Sequence, residues 1–230
     1  SGEMEGIHTP SVELPFHEQI YQKRPDIRAI IHAHPPALIA FSVVRQIPST
    51  RLTPSAYFTC GKIGMAEYAI PGSKKLGKNI AMKFQEGCDI VILENHGAVV
   101  GSKDLFQAFM AFETLDFNAR LQIEAQKLSQ PIELTDRQLD LSKQKQSAVM
   151  DEFIPQSFSS EERDARRNMC DFIHRAYDQS LFTSTQGTFS QRLHDNSFLI
   201  TPYGVDRKYI NISDLVRISN NWKESGKQPS

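Results

Sequence analysis

The sequence predicts an α/β fold, a central mixed sheet flanked by helices on both faces in three layers (α/β/α). Three observations carry this. Apolar runs of strand length, 27–34 and 89–93, alternate with longer stretches of helical periodicity. The first run ends in His32-Ala33-His34, and the second leads into Glu94-Asn95-His96-Gly97. Pro35 then stops the first strand, because it has no N–H to give a ladder, and so leaves the histidine pair at a strand tip. Strand tips are where open α/β sheets usually form their sites.

In chain order, residues 1–12 read as a polar loop carrying Gly2, Gly6 and Pro10. A helix follows over 14–23, with Phe16, Ile20 and Tyr21 on its apolar face. Glu13 stands at its first turn and shares a face with His17, which reads as a buried histidine with a satisfied hydrogen bond. In a strand over 27–34 side chains alternate, so His32 and His34 point the same way. A helix over 37–44 comes next, then an irregular stretch over 46–61 with Pro48 and Pro54, and a strand over 64–70. Ser73 caps a helix running to Phe84, with Gly87 as its stop. After the 89–93 strand and the His96 turn, a short strand covers 98–101, and Ser102-Lys103-Asp104 opens a long helix reaching Leu128. Its Phe106, Phe109, Met110, Phe112 and Phe117 are core or subunit interface by their helical spacing.

Residues 129–158 turn polar, with a helix from Thr135 and then a linker containing Pro155. A second part starts at the capping-box pattern Ser159-Ser160-Glu161-Glu162, and Ala165, Met169, Phe172, Ile173 and Ala176 line one face of its helix. Strands are expected over 187–192 and 197–202 around a turn at 194–196, and 211–216 leads into a third. The chain therefore divides into 1–140, a linker over 141–158, and 159–230.

Composition narrows the function classes. The 230 residues carry a net charge of −1, with both signs interspersed, which makes no case for nucleic acid or a membrane surface. The longest apolar runs fall far short of a membrane span. Cys60, Cys88 and Cys170 form neither a disulfide framework nor a C-x-x-C motif, so a reducing cytoplasm is expected.

The chemistry lies in the histidines. His32 and His34 share a strand face, and His96 stands at the end of a second strand. Three imidazoles with one open position are the ligand set of a catalytic zinc ion (Zn2+), and a nearby carboxylate such as Glu13 suits proton transfer.

Residues 8–140 resemble the catalytic portion of the class II aldolase/adducin family. The matching pieces are Pro10-Ser11-Val12-Glu13…Phe16-His17, Tyr21-Gln22-Lys23-Arg24-Pro25-Asp26…Ile30-Ile31-His32-Ala33-His34, and Glu94-Asn95-His96-Gly97. The resemblance implies that His32, His34 and His96 hold zinc and that Glu13 is the catalytic acid/base. It also implies reversible aldol cleavage of a small phosphorylated ketose through an enediolate. Epimerase or decarboxylase chemistry and a non-catalytic adducin-like scaffold stay open beside it. The family's aldolases place a proton-donating tyrosine where this chain has Leu52 and Thr53; Tyr57, the nearest phenol, reads equally as a packed aromatic.

The second part, through Leu199-Ile200-Thr201-Pro202-Tyr203-Gly204, resembles the beginning of the same family, so the two halves stand in reversed order. The ends echo one another, Ser1-Gly2…Pro10-Ser11 with Ser225-Gly226…Pro229-Ser230. An excerpt of a tandem repeat is expected in preference to a circular permutant. By the resemblance, Thr185, Gly187, Thr188, Thr201 and Gly204, with Ser11, bind substrate phosphate, although Thr188 replaces the usual Asn and Val12 a usual Ser. The resemblance further implies a homo-oligomer and strands of the second half joining the histidine-bearing sheet, in the same chain or across an interface.

Overall fold

The computed structural model describes residues 6–143 and 150–230. The chain forms two compact units, Ser1–Lys143 and Gln144–Ser230.

In the first unit, β1 (Ala29–Ala33), β2 (Ile63–Ala66), β3 (Ile90–Leu93) and β4 (Gly97–Ser102) form one sheet in the order β1-β4-β3-β2. The β1–β4 and β4–β3 pairs are antiparallel and β2–β3 is parallel, so the sheet is mixed. Alternation along the strands builds two cores. Ile30, Val91 and Val99 pack with Phe16 and Ile20 of α1 (Leu14–Lys23) and with Leu76, Ile80 and Phe84 of α4 (Lys74–Gln85). Ile31, Ile90 and Val100 pack on the opposite face with α2 (Pro36–Val43), α3 (Pro54–Thr59) and α5 (Leu105–Leu128). The expected three layers are present in this unit. Because both faces are covered, every residue of β3 is buried, which is why its sequence is a continuous apolar run.

Several boundaries differ from expectation. The stretch at 46–61 is not irregular throughout. It holds a 3-10 turn at Thr50–Leu52 and then α3, where Thr53 Oγ1 accepts from Ala56 N at 3.2 Å and Pro54 occupies the first turn. The strand expected over 64–70 ends at Ala66, because its partner β3 ends opposite it at Leu93. Tyr21 is exposed, unlike Phe16 and Ile20. Thr135 and Gln138 cap α6 (Asp136–Lys143) reciprocally, Thr135 N donating to Gln138 Oε1 at 2.8 Å and Gln138 N to Thr135 Oγ1 at 3.3 Å. Of the expected linker, residues 144–149 lie outside the described residues, while Asp151–Phe153 forms a strand, β5.

The second unit is a five-stranded sheet in the order β5-β9-β8-β7-β6, with β6 (Ser190–Arg192), β7 (Phe198–Ile200), β8 (Val216–Ser219) and β9 (Trp222–Glu224). Helix α7 (Ser160–Asp178) buries Ala165, Met169, Ile173 and Ala176 against Leu199, Ile210 and Leu215, whereas Phe172 faces solvent. Within the chain, β6 and β7 therefore pair inside their own unit's sheet and not with the histidine-bearing strands. The local core under Leu199 and Leu215 supplies the apolar face a lone hairpin lacks. No described helix is long and apolar enough to cross a membrane.

Beneath α7 lies a buried ion cluster. Arg166, fully buried, donates to Glu162 Oε1 at 2.8 and 2.9 Å, to Glu224 Oε2 at 2.8 Å, and to the carbonyls of Ile212 and Leu215 at 3.0 and 2.7 Å. Removing one member of such a cluster strands the others in a low dielectric. Arg166→Ala is expected to destabilise the second unit by about 3 kcal/mol, at the lower end of the range for broken buried pairs because Arg217 still pairs with Glu162 and Lys227 with Glu224. Chemical denaturation followed at Trp222 checks it.

Candidate metal centre

The histidine cluster follows from strand alternation and two tight turns. His32 has the same parity as Ile30, so it faces α1, and Phe16 packs edge-on against its ring with centroids 5.4 Å apart. The strand ends at Ala33, and Pro35-Pro36 turn the chain into α2, which leaves His34 at the tip with its ring 4.6 Å from that of His32. His96 rides the short turn between β3 and β4, where Leu93 pairs with Gly97 and Asn95 takes a left-handed φ of 53°. Gly97 is needed for this approach: a Cβ there would meet the Ala33 carbonyl oxygen at 2.6 Å and His34 Cδ2 at 2.7 Å. Glu94 clips the same turn, accepting from Tyr68 N at 3.0 Å and lying 3.1 Å from the Arg45 guanidinium.

One ring nitrogen from each of His32, His34 and His96 lies within 4.8 Å of the others. His32 Nδ1 sits 3.0 Å from the Ala98 carbonyl, which can only accept; this assigns the proton to Nδ1 and leaves Nε2 with its lone pair free. Glu13 caps no backbone group of α1 with its side chain, and its Oε1 stands 3.9 Å from His96 Nε2. Three atoms here, His32 Nε2, His96 Nδ1 and Glu13 Oε2, are buried without a hydrogen-bond partner. Such atoms are costly, and their convergence fits a divalent metal ion as the missing partner. His34 is exposed, so the cluster opens to solvent on its side.

Burial holds the imidazoles of His32 and His96 below their usual 6.5, against the opposing pull of the Ala98 carbonyl on His32 and of Glu13 on His96. His17 is lowered for the same reason, with Glu13 opposing. The neutral forms that metals require are therefore favoured. In the folded, metal-free chain these groups resist protons that the unfolded chain accepts. Stability is thus fully present above about pH 6.5 and is expected to fall as pH drops through the lowered folded values. Melting curves of chelator-treated protein from pH 7.5 to 5 check this.

The remaining predicted residues fall in two places. Ser11 is exposed and its hydroxyl accepts from Glu13 N at 3.3 Å, next to the acid. Thr185, Gly187, Thr188, Thr201 and Gly204 lie in the second unit, on two adjoining loops. Thr201 is fully buried; its N–H donates to Phe189 O at 3.1 Å and its hydroxyl accepts from Phe189 N at 3.3 Å. Thr188 is exposed and Thr185 half-buried. Tyr57 lies on α3, with the Arg51 guanidinium 5.8 Å from its ring centroid and Phe58 edge-on, the contacts of a packed aromatic. Sequence reasoning missed the Ala98 carbonyl and the Glu94–Arg45 clip. Both depend on pairings across the sheet that carry no local signal.

The family model described as Class II Aldolase and Adducin N-terminal domain matches residues 2–123 and 167–230. The chain belongs to this family. Among relatives, the L-fuculose phosphate aldolase of Methanocaldococcus jannaschii is 38% identical over 112 residues, 49% of this chain and 60% of that protein. The 3-oxo-tetronate 4-phosphate decarboxylase of Pectobacterium atrosepticum is 34% identical over 125 residues, 53% of this chain and 57% of that protein. This class II aldolase-family chain thus spans about 60% of the length of the curated relatives it matches. Among solved structures, an L-fuculose 1-phosphate aldolase aligns with a TM-score of 0.52 at 33% identity, over 60% of this chain and 64% of that one. YgbL of Escherichia coli aligns with a TM-score of 0.55 at 25% identity, over 61% of this chain and 69% of that one.

Proposed function

We propose that the chain is a zinc-dependent aldehyde-lyase that cleaves and forms a carbon–carbon bond in a small phosphorylated ketose. The observation that carries this is the convergence of three histidine nitrogens within 4.8 Å, with the Glu13 carboxylate, one of its oxygens buried and unpartnered, beside them. Three neutral imidazoles suit zinc and leave a coordination position for substrate. A divalent ion held there supplies Lewis-acid polarisation of a carbonyl. His32 offers Nε2 because the Ala98 carbonyl holds the proton on Nδ1. Glu13, at the start of α1 and close enough to act electrostatically on His17, takes the proton from the carbon next to the carbonyl in the bond-forming direction. In cleavage it returns that proton, and the hydroxyl proton released as the aldehyde forms passes to solvent. The likeness to proteins named L-fuculose phosphate aldolase supports a phosphorylated sugar as substrate.

A second reading, decarboxylation, is favoured by the 34% identity to a protein named 3-oxo-tetronate 4-phosphate decarboxylase. The same polarised carbonyl stabilises negative charge on the adjacent carbon whether an aldehyde or CO2 departs. An adducin-like scaffold is disfavoured, since a scaffold has no use for buried, unpartnered metal donors. Metal analysis of the purified chain, followed by a panel of phosphorylated ketoses and 3-oxo acids, tests the proposal. Aldehyde release supports it, CO2 release supports the second reading, and epimerised substrate would replace both. Failure to take up any divalent ion overturns all three.

A further inference from the structure

Glu13 and His96 come from segments far apart in sequence, yet one short loop touches both. It links β2 to α4 and contains Tyr68-Ala69-Ile70-Pro71-Gly72. At one end, Glu94 Oε2 accepts from Tyr68 N at 3.0 Å and Glu94 N donates to Ala66 O at 3.1 Å, which bonds the loop to the turn carrying His96. Arg45, just beyond α2, steadies that carboxylate: its Nε lies 3.1 Å from Glu94 Oε1 while its Nη1 donates to Ser42 O at 2.8 Å. At the other end, Ile70-Pro71-Gly72-Ser73 is a type II turn, with Ser73 N donating to Ile70 O at 3.0 Å and Gly72 at a φ of 75°. Gly72 lies against the residue that precedes the acid. A Cβ there would meet the Val12 carbonyl oxygen at 3.0 Å and Val12 Cβ at 3.4 Å.

Between its ends the loop is not slack. Ala69 is buried with Phe16 and Leu76 in the core under α1 and α4, and Glu67 O accepts from Asn79 Nδ2 at 3.2 Å. A segment pinned at both ends and in the middle carries a displacement from one end to the other, because packed interiors resist compression. Val12 passes it on to the acid. Glu13 N donates to Ser11 Oγ at 3.3 Å and Leu14 N to Ser11 O at 3.0 Å, so 11–14 moves as one tight turn.

We propose that residues 68–72 form a strap that fixes the spacing between Glu13 and His96, with Glu94 and Gly72 as the positioning residues at its two ends. Its purpose rests on the proposed function, but its first readout uses neither substrate nor turnover. Amide hydrogen exchange is followed by NMR in the metal-stripped full chain and in Glu94→Ala, Glu94→Gln, Gly72→Ala and Gly87→Ala. Two amides report on the ends: Phe16 N, which donates to Glu13 O at 3.2 Å, and His96 N, which donates to Leu93 O at 3.1 Å. The amides of α5 give the reference for global opening. Disturbing one end is expected to loosen the other. Glu94→Ala should speed exchange at Phe16 about tenfold, through the loss of a bond to a charged acceptor. Gly72→Ala should speed exchange at His96 about tenfold, because its Cβ is strained at that φ and presses on Val12. Glu94→Gln should stay within about threefold of wild type, since its amide oxygen still accepts from Tyr68 N and only the partly exposed Arg45 pair is lost. Gly87→Ala carries similar backbone strain, at a φ of 86° with nothing within 4 Å of its Cβ position, and should leave both amides at the reference. Where wild type releases aldehyde, Gly72→Ala should lower kcat about tenfold with KM within about threefold, and Gly87→Ala should change neither. An unchanged Phe16 rate in Glu94→Ala, an unchanged His96 rate or kcat in folded Gly72→Ala, or a Gly87→Ala variant that loosens both amides overturns the inference. So does Glu94→Gln behaving like Glu94→Ala, which would assign the effect to charge. Should Glu94→Ala unfold, Gly72→Ala against Gly87→Ala decides alone. A wild type that releases no aldehyde counts against the proposed function and leaves the exchange result to judge the strap.

Discussion

Glu13→Gln is expected to lower steady-state turnover by about 10²–10⁴-fold while the chain keeps its metal. The substitution preserves the volume of the side chain and the start of α1, since no backbone hydrogen bond depends on the carboxylate. What it removes is the proton acceptor 3.9 Å from His96, whose second oxygen is buried and unpartnered. Steady-state aldehyde release and metal content, measured on the same preparation, check both halves. Wild-type turnover in the variant would remove Glu13 from the chemistry. Loss of zinc together with activity would make it a ligand and not a base.

His96→Ala is expected to weaken zinc binding by more than about 100-fold, beyond the range seen when only an outer partner of a ligand is lost. His32 and His34 alone would leave two donors, one of them exposed. The variant should fold, because the turn is held by the Leu93–Gly97 pair and by Glu94, not by the imidazole. Competition with a chromogenic chelator gives the affinity, and circular dichroism controls for folding. Retention of wild-type zinc in both His96→Ala and His32→Ala would exclude the cluster as the metal site.

The parts of this molecule written in local pattern were readable from the chain. The apolar run ending at Pro35, the Ser73 and Ser159 caps and the Gly87 stop predicted β1, α4 and α7 within a few residues, because each signal sits within one turn of the element it ends. The approach of His96 to the His32–His34 pair was legible only as two strand tips. Their meeting depends on β1 and β3 both flanking β4, an order set by packing on both faces. Short elements escaped: α3 has six residues, and β5 and β9 three each, too few to show a period.

In the sheet order β1-β4-β3-β2, the strand that carries His32 is an outermost one, hydrogen-bonded on one side only. Outermost strands are where sheets fray, and local opening there costs less than global unfolding. One of the three donors therefore rides an outermost strand and a second follows directly after its end, while His96 stands in the turn that joins two interior strands. An ion shared among them would act as a clasp, fastening the loose margin of the sheet to its rigid middle. Its dissociation rate would then be governed by how often β1 detaches, more than by the strength of any single nitrogen–metal bond.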